Sequence, residues 1–160
     1  MKPSSPAPPP EQDAEETRQR ACAAALRLLA RREHSVLELC HKLAARGFAD
    51  EVIGGAVEQL SRQNLLSDRR FADAYVRGRA DRGFGPLRIQ AELRERGIAT
   101  SLMTETLMEL SGGWDESAAR QRDKRFGPGV PADKRERAKQ MRFLQQRGFT
   151  AEQIRTVLGG

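Results

Sequence analysis

The chain has 160 residues and a mass of 17.8 kDa, enough for one ordinary domain or a few very small ones. That excludes a TIM barrel or a two-domain dehydrogenase. Charged residues make up 31%, apolar residues 38% and aromatics only 5%, and no apolar run is long enough for a bilayer span. The net charge is +6 with a pI near 10.0, which suits a partner rich in phosphate or carboxylate.

Met1 to Pro10 carries prolines at 3, 6, 8, 9 and 10, with one Lys and no apolar core of a signal peptide. Residues 1–17 add Glu11, Asp13, Glu15 and Glu16. This composition cannot bury enough apolar surface to offset ordering, so most of 1–17 is expected to be a disordered acidic tail, with room for a helix to start near Asp13. The tail's charge of −3 leaves +9 on residues 18–160. Cys22 and Cys40 form neither a CxxC pair nor a disulfide framework, which points to a reducing compartment and the cytoplasm.

After the tail there is no proline until Pro86, and apolar residues recur with a period of 3.6 rather than 2. The predicted fold is all-α. The spacing predicts helices over 18–32, 35–46, 50–63, 68–82, 86–96, 101–111, 115–125, 132–147 and 151–158. Ser35 to Glu38 and Thr150 to Gln153 match capping boxes, in which two side chains reciprocally satisfy backbone donors. Ser67-Asp68 opens another helix. Pro86 sits at a first helical position, where its missing N–H costs nothing. Arg-Gly pairs at 46–47, 96–97 and 147–148 read as helix ends, with glycine supplying the left-handed residue.

Those pairs anchor an internal repeat. Leu43 to Phe48, Leu93 to Ile98 and Leu144 to Phe149 align, their glycines 50 and 51 positions apart. Six residues after each glycine stand Ile53, Met103 and Ile154; ten after stand Val57, Leu107 and Leu158. The expected organisation is three tandem three-helix repeats at 18–64, 65–112 and 113–160. The third departs most, through Gly127-Pro-Gly-Val-Pro131.

Catalytic signatures are missing from the sequence: no Walker A, GxGxxG, GxSxG or HExxH. Gly83-Phe-Gly85 reads as a loop before a helix. Cys22, His34, Cys40 and His41 match no zinc spacing, and Cys40 and His41 diverge by about 100° on a helix. The cysteines are expected to fill small apolar sites.

The middle repeat is the most distinctive. On the 68–82 helix, Phe71, Ala72, Tyr75 and Val76 form an apolar face, with Arg69, Arg70 and Arg77 opposite. Arg79 falls on the apolar side and needs a partner, for which Glu92 is a candidate. Arg88, Glu92 and Arg96, at i, i+4 and i+8, suit a salt-bridge ladder; Arg94 has no acid four residues away. Arg135, Lys139 and Arg142 form a basic stripe, and Lys124 and Arg125 end the preceding helix. Such stripes are either solvated faces or a binding surface.

The runs Asp68 to Arg79 and Gly85 to Ile98 resemble the RecX family of bacterial recombination regulators. Leu26 to Phe48, Lys124 to Gly127 and Phe143 to Phe149 resemble the same family. The resemblance covers about residues 20–160. It implies three-helix repeats in a curved modular rod and a non-enzymatic protein without cofactor. The implied partner is the RecA recombinase filament on single-stranded DNA, whose ATPase, strand-exchange and co-protease activities such proteins mostly inhibit. It implies no membrane and no small-molecule substrate. The expected partner-binding residues are Arg70, Arg77, Arg88, Arg94, Lys124, Arg125, Lys139 and Arg142, with weak DNA contact through the same basic face. The alternatives are a helical module that binds nucleic acid directly, without a recombinase, and a helical adaptor for some other acidic protein.

Overall fold

The computed structural model describes residues 10–160. Among them are nine α-helices, one short 3-10 turn and no strand, so the all-α expectation holds. They gather in two compact units, divided between Asp68 and Arg69.

The first unit contains α1 (Glu11–Leu29), α2 (Val36–Ala45) and α3 (Asp50–Arg62). Helix α1 begins at Glu11, two residues before the Asp13 start that the sequence left open, so residues 11–17 of the expected tail are helical. Pro10 takes the N-cap position, and Glu11 and Asp13 lie in the first turn, near the positive end of the helix. Glu15 pairs with Arg18 and accepts from Gln19, while the Thr17 hydroxyl donates to the Asp13 carbonyl. These local bonds support a turn that composition alone argues against. The rest of the expected tail, residues 1–9, lies outside the described residues. Ala24, Ala25, Leu39, Leu43, Ile53, Leu60 and Leu66 form the main core of the unit. A smaller cluster holds Ala21, Cys22 and Ala56. Cys22 is buried and Cys40 half-buried against these clusters, as expected. The Ser35–Glu38 capping box is formed, and Asp68 accepts from the Val36 N–H at 2.8 Å.

The second unit contains α4 (Asp68–Asp81, its first residue excepted), α5 (Pro86–Glu95), α6 (Thr100–Glu109), a 3-10 turn (Ser111–Gly113), α7 (Trp114–Phe126), α8 (Lys134–Arg147) and α9 (Ala151–Leu158). One continuous core joins all six helices, from Phe71, Ala72 and Val76 through Ile89, Leu93, Met103 and Trp114 to Leu144, Phe149 and Leu158. Burying side chains of this size contributes about 1.5–3 kcal/mol each. Helix α8 starts two residues later than the spacing suggested, because Asp133 serves as its N-cap, accepting from the Glu136 N–H at 2.8 Å.

Two sets of equivalent repeat positions are equivalently buried. Leu43, Leu93 and Leu144 are fully enclosed, and so nearly are Ile53, Met103 and Ile154. Gly47, Gly97 and Gly148 all adopt positive φ, at 90°, 77° and 96°. The Arg-Gly reading of these helix ends is therefore correct.

Gly85 has a different role, which its φ of −89° does not disclose. Its N–H donates to the Arg147 carbonyl at 2.7 Å, and the Leu87 N–H donates to the Gly148 carbonyl at 2.9 Å. A Cβ on Gly85 would strike the Gly148 backbone, and one on Gly148 would strike Arg88. Two glycines thus let the start of α5 touch the end of α8.

Candidate interaction surface

Two of the arginines on α4, Arg69 and Arg79, are committed to acids. Arg69 pairs with Asp73 at 3.4 Å, Glu105 at 3.1 Å and Glu109 at 2.6 Å. Arg79 makes a fork with Glu92, at 2.9 Å from Nε and 2.6 Å from Nη2, confirming the pairing its apolar position required. Tyr75 also donates to Glu92, at 2.9 Å. Burial alone raises the Glu92 carboxyl, but hydrogen bonds from Arg79, Tyr75 and Arg88 outweigh it and hold the group below its ordinary value of 4.5.

The ladder on α5 is formed differently from its simplest drawing. Arg88 reaches the Glu92 carboxylate at 3.3 Å, whereas Arg96 donates to the Glu92 backbone carbonyl at 2.9 Å and lies over the Tyr75 ring. Phe84 is the aromatic centre of this region. The guanidinium carbons of Arg79, Arg88 and Arg147 stand 3.8, 4.4 and 4.9 Å from its ring centroid. A ring face attracts cations, so Phe84 gathers three of them, two of which, Arg79 and Arg88, also hold the Glu92 carboxylate.

Beside that centre lies a cleft of about 460 Å³ lined by Asp81 at the end of α4 and Arg82 in the turn after it, Gln121, Lys124 and Arg125 from α7, and Phe143 and Arg147 from α8. Four cations face one acid there. Arg82, Lys124 and Arg125 make no ion pair among the described residues. Arg147 is positioned by its contact with the Arg82 carbonyl at 3.4 Å and by Phe143, over which it lies at 5.6 Å. Phe143 is in turn set by an edge-to-face contact with Phe126 at 5.3 Å. Clustered cations with an aromatic side chain among them can hold anionic groups that carry a flat or apolar part.

All eight residues expected to bind a partner are exposed. They do not form one cluster. Lys124 and Arg125 line the cleft just described. Lys139 and Arg142 line another, of about 540 Å³, with Asp133, Arg135 and Glu136; its acids temper its charge, and Lys139 sits 4.0 Å from Glu136. Arg77 lies beside Asp73 and Glu109 at a small recess. Arg88 is held by Glu92 and by the Gln146 carbonyl at 3.4 Å. Arg94 stands on the outer face of α5 without an ion pair among the described residues, and Arg70 on the outer face of α4. The sequence reading missed Arg82 and Arg147. Arg147 was explained as a helix end, and nothing local marks Arg82; only the packing of α4, α7 and α8 brings them to Lys124 and Arg125.

Comparison with known proteins agrees with this architecture. Family models for the first, second and third three-helix domains of RecX match residues 21–60, 67–107 and 115–158. A regulatory protein RecX from Halorhodospira halophila is 50% identical over 134 residues, covering 84% of this chain and 83% of that protein. Another from Ectopseudomonas mendocina is 41% identical over 137 residues, covering 86% and 91%. The crystal structure of RecX from Lactobacillus salivarius superposes with a TM-score of 0.78 at 21% identity, over 91% of this chain and 96% of that one. The match of all three domain models, in order and on the observed helix triplets, together with relatives at this identity over most of both chains, shows that this chain belongs to the RecX family of regulatory proteins.

Proposed function

We propose that this protein binds the RecA recombinase filament and inhibits its ATPase, strand-exchange and co-protease activities, with the cleft of the second unit as a principal contact. The observation that carries this reading is the convergence of Arg82, Lys124, Arg125 and Arg147 around Phe143 and Gln121, with Asp81 as the sole acid in the lining. In a family of regulators, unpaired cations held at a rigid helical junction are a surface for an anionic partner, here acidic recombinase surface with DNA phosphate nearby. The remaining expected residues, Arg70, Arg77, Arg88, Arg94, Lys139 and Arg142, lie outside the cleft and would supply separate, weaker contacts. Several weak contacts on one chain add as linked sites and raise avidity without any single strong site.

The mechanism needs no reacting group. Binding along the filament would oppose its growth and the subunit motions that accompany ATP turnover. Like charges placed in the cleft should repel the partner. The test is ATP hydrolysis by RecA on single-stranded DNA, titrated with wild type and with Lys124→Glu/Arg125→Glu. Both side chains are exposed, so helicity and melting should stay nearly unchanged. Inhibition should weaken by more than about tenfold, the size of an electrostatic loss of roughly 1.4 kcal/mol. Superimposable inhibition curves would remove the cleft from the mechanism. If wild type does not inhibit at all but binds oligonucleotide with a log–log salt slope near −0.7 per phosphate, direct nucleic-acid binding is the better reading.

A further inference from the structure

The first unit has its own groove, separate from the cleft above and independent of the recombinase reading. It is lined by Arg20, Ala23, Ala24 and Arg27 of α1 and by Arg46 and Phe48 at the α2–α3 turn, and encloses about 420 Å³. Two observations set it apart from a solvated helix face. First, Arg20, Arg27 and Arg46 form no ion pair or side-chain hydrogen bond among the described residues, although acids are plentiful on the preceding turns of α1. Second, Phe48 departs from its repeat. Its counterparts Ile98 and Phe149 are core residues, 4% and 2% exposed, whereas Phe48 is only half-buried and gives its remaining face to the groove. An apolar position that the other two repeats cover is left open here, with guanidinium groups around it.

We propose that this groove docks an acidic peptide segment that carries an apolar residue between carboxylates. Arg20 and Arg27 are seven residues apart on one helix face, about 10 Å along the axis. An extended peptide rises about 3.3 Å per residue and shows alternate side chains on one face, so carboxylates four residues apart, with an apolar residue midway, face the groove together over about 13 Å, a span the long arginine side chains reach. An apolar side chain between them would lie over Ala23 and against Phe48, while Arg46 meets the peptide from the turn. A phosphodiester strand would match the charges but leave the Phe48–Ala23 floor without an apolar group. The floor is what favours a peptide.

The experiment uses the full chain and a fluorescein-labelled twelve-residue peptide with Glu-Ser-Leu-Ser-Glu at its centre, read by fluorescence anisotropy. Arg20→Gln/Arg27→Gln should weaken binding at least tenfold. Ala23→Gln, which fills the floor of the groove without altering its charge, should weaken it several-fold, as should replacing the peptide's Leu by Ser. Circular dichroism checks that both variants keep the wild-type helix content, which is expected because all three positions are surface sites on a helix and Gln is a good helix former. Added salt should weaken binding only in part, since the apolar contact is not screened. The proposal is overturned if the peptide binds both variants as well as wild type. It is also overturned if a single-stranded oligonucleotide of equal charge binds as tightly and is indifferent to Ala23→Gln, because the groove would then be a phosphate site. Neither result bears on RecA inhibition through the second unit.

Discussion

Gly47 and Gly148 share a backbone conformation but not their surroundings. Both have positive φ, 90° and 96°, where a side chain costs about 1–2 kcal/mol. A Cβ on Gly47 would meet nothing within 4 Å, while one on Gly148 would come within 2.6 Å of the Arg88 backbone nitrogen. Gly47→Ala should therefore lose only the conformational part. Gly148→Ala should lose that and also disturb the Leu87 N–H to Gly148 carbonyl bond, for a total roughly twice as large. Urea unfolding followed by circular dichroism for the first variant, and by Trp114 fluorescence for the second, measures both. Equal losses would show that the α5 start yields freely, contrary to the close backbone contact. This difference was invisible in sequence. The Arg-Gly signal locates both turns, but close approach is a property of two segments more than sixty residues apart.

At the scale of elements, most of what was readable came from local chemistry. Ser35 and Thr150 mark helix starts because their bonds are made within a few residues, Pro86 because its missing N–H costs nothing at a first helical position, and Arg79 announced a partner because it falls on an apolar face. What stayed hidden depends on packing between distant helices: the meeting of Arg82 and Arg147 with Lys124 and Arg125, and the fixing of α9. That helix has only eight residues, from Ala151 to Leu158, too few to persist alone. Beyond its buried Ile154 and Leu158, two arginines from other helices hold its last turn. Arg122 donates to the Val157 carbonyl at 2.8 Å and Arg137 to the Leu158 carbonyl at 2.6 Å. Helix C-termini leave carbonyls without intrahelical donors and carry partial negative charge, so guanidinium groups suit them. Arg122 is mostly buried, and Arg122→Met keeps its length without its donors. The expected loss is about 1–2 kcal/mol, with faster amide hydrogen exchange in α9 and unchanged exchange in α5 and α6. Uniform exchange throughout the unit would mean that the bond contributes nothing specific to α9.

For the molecule as a whole, two compact units invite the question of whether acid affects them alike. In the first unit His34 is 2% exposed, between the Arg32 carbonyl at 3.0 Å from Nδ1 and the Lys42 ammonium at 2.9 Å from Nε2. An ammonium only donates, so Nε2 accepts and the proton belongs on Nδ1, making the ring neutral. Burial is the main cause that lowers His34 below its ordinary 6.5; the Arg32 and Lys42 charges add to it, against opposition from the Arg32 carbonyl and Glu38. The unfolded chain then takes up a proton that the folded unit resists, so stability falls as pH drops below about 6.5. In the second unit the acid-sensitive group is Glu92, whose folded value is also depressed, but from 4.5. Its contribution is present above that value and is lost only as pH falls through its lowered one. Between about pH 7 and pH 5 the first unit should weaken while the second keeps the Arg79–Glu92 pair. Trp114 and Tyr75, the chain's one tryptophan and one tyrosine, both lie in the second unit, so their fluorescence reports that unit alone, whereas circular dichroism reports all helices. Over this range the urea midpoint by circular dichroism should shift down and that by Trp114 emission should hold. His34→Gln, which cannot titrate, should abolish the shift. Parallel midpoints for both probes in wild type would show that the His34 proton is not coupled to the stability of its own unit.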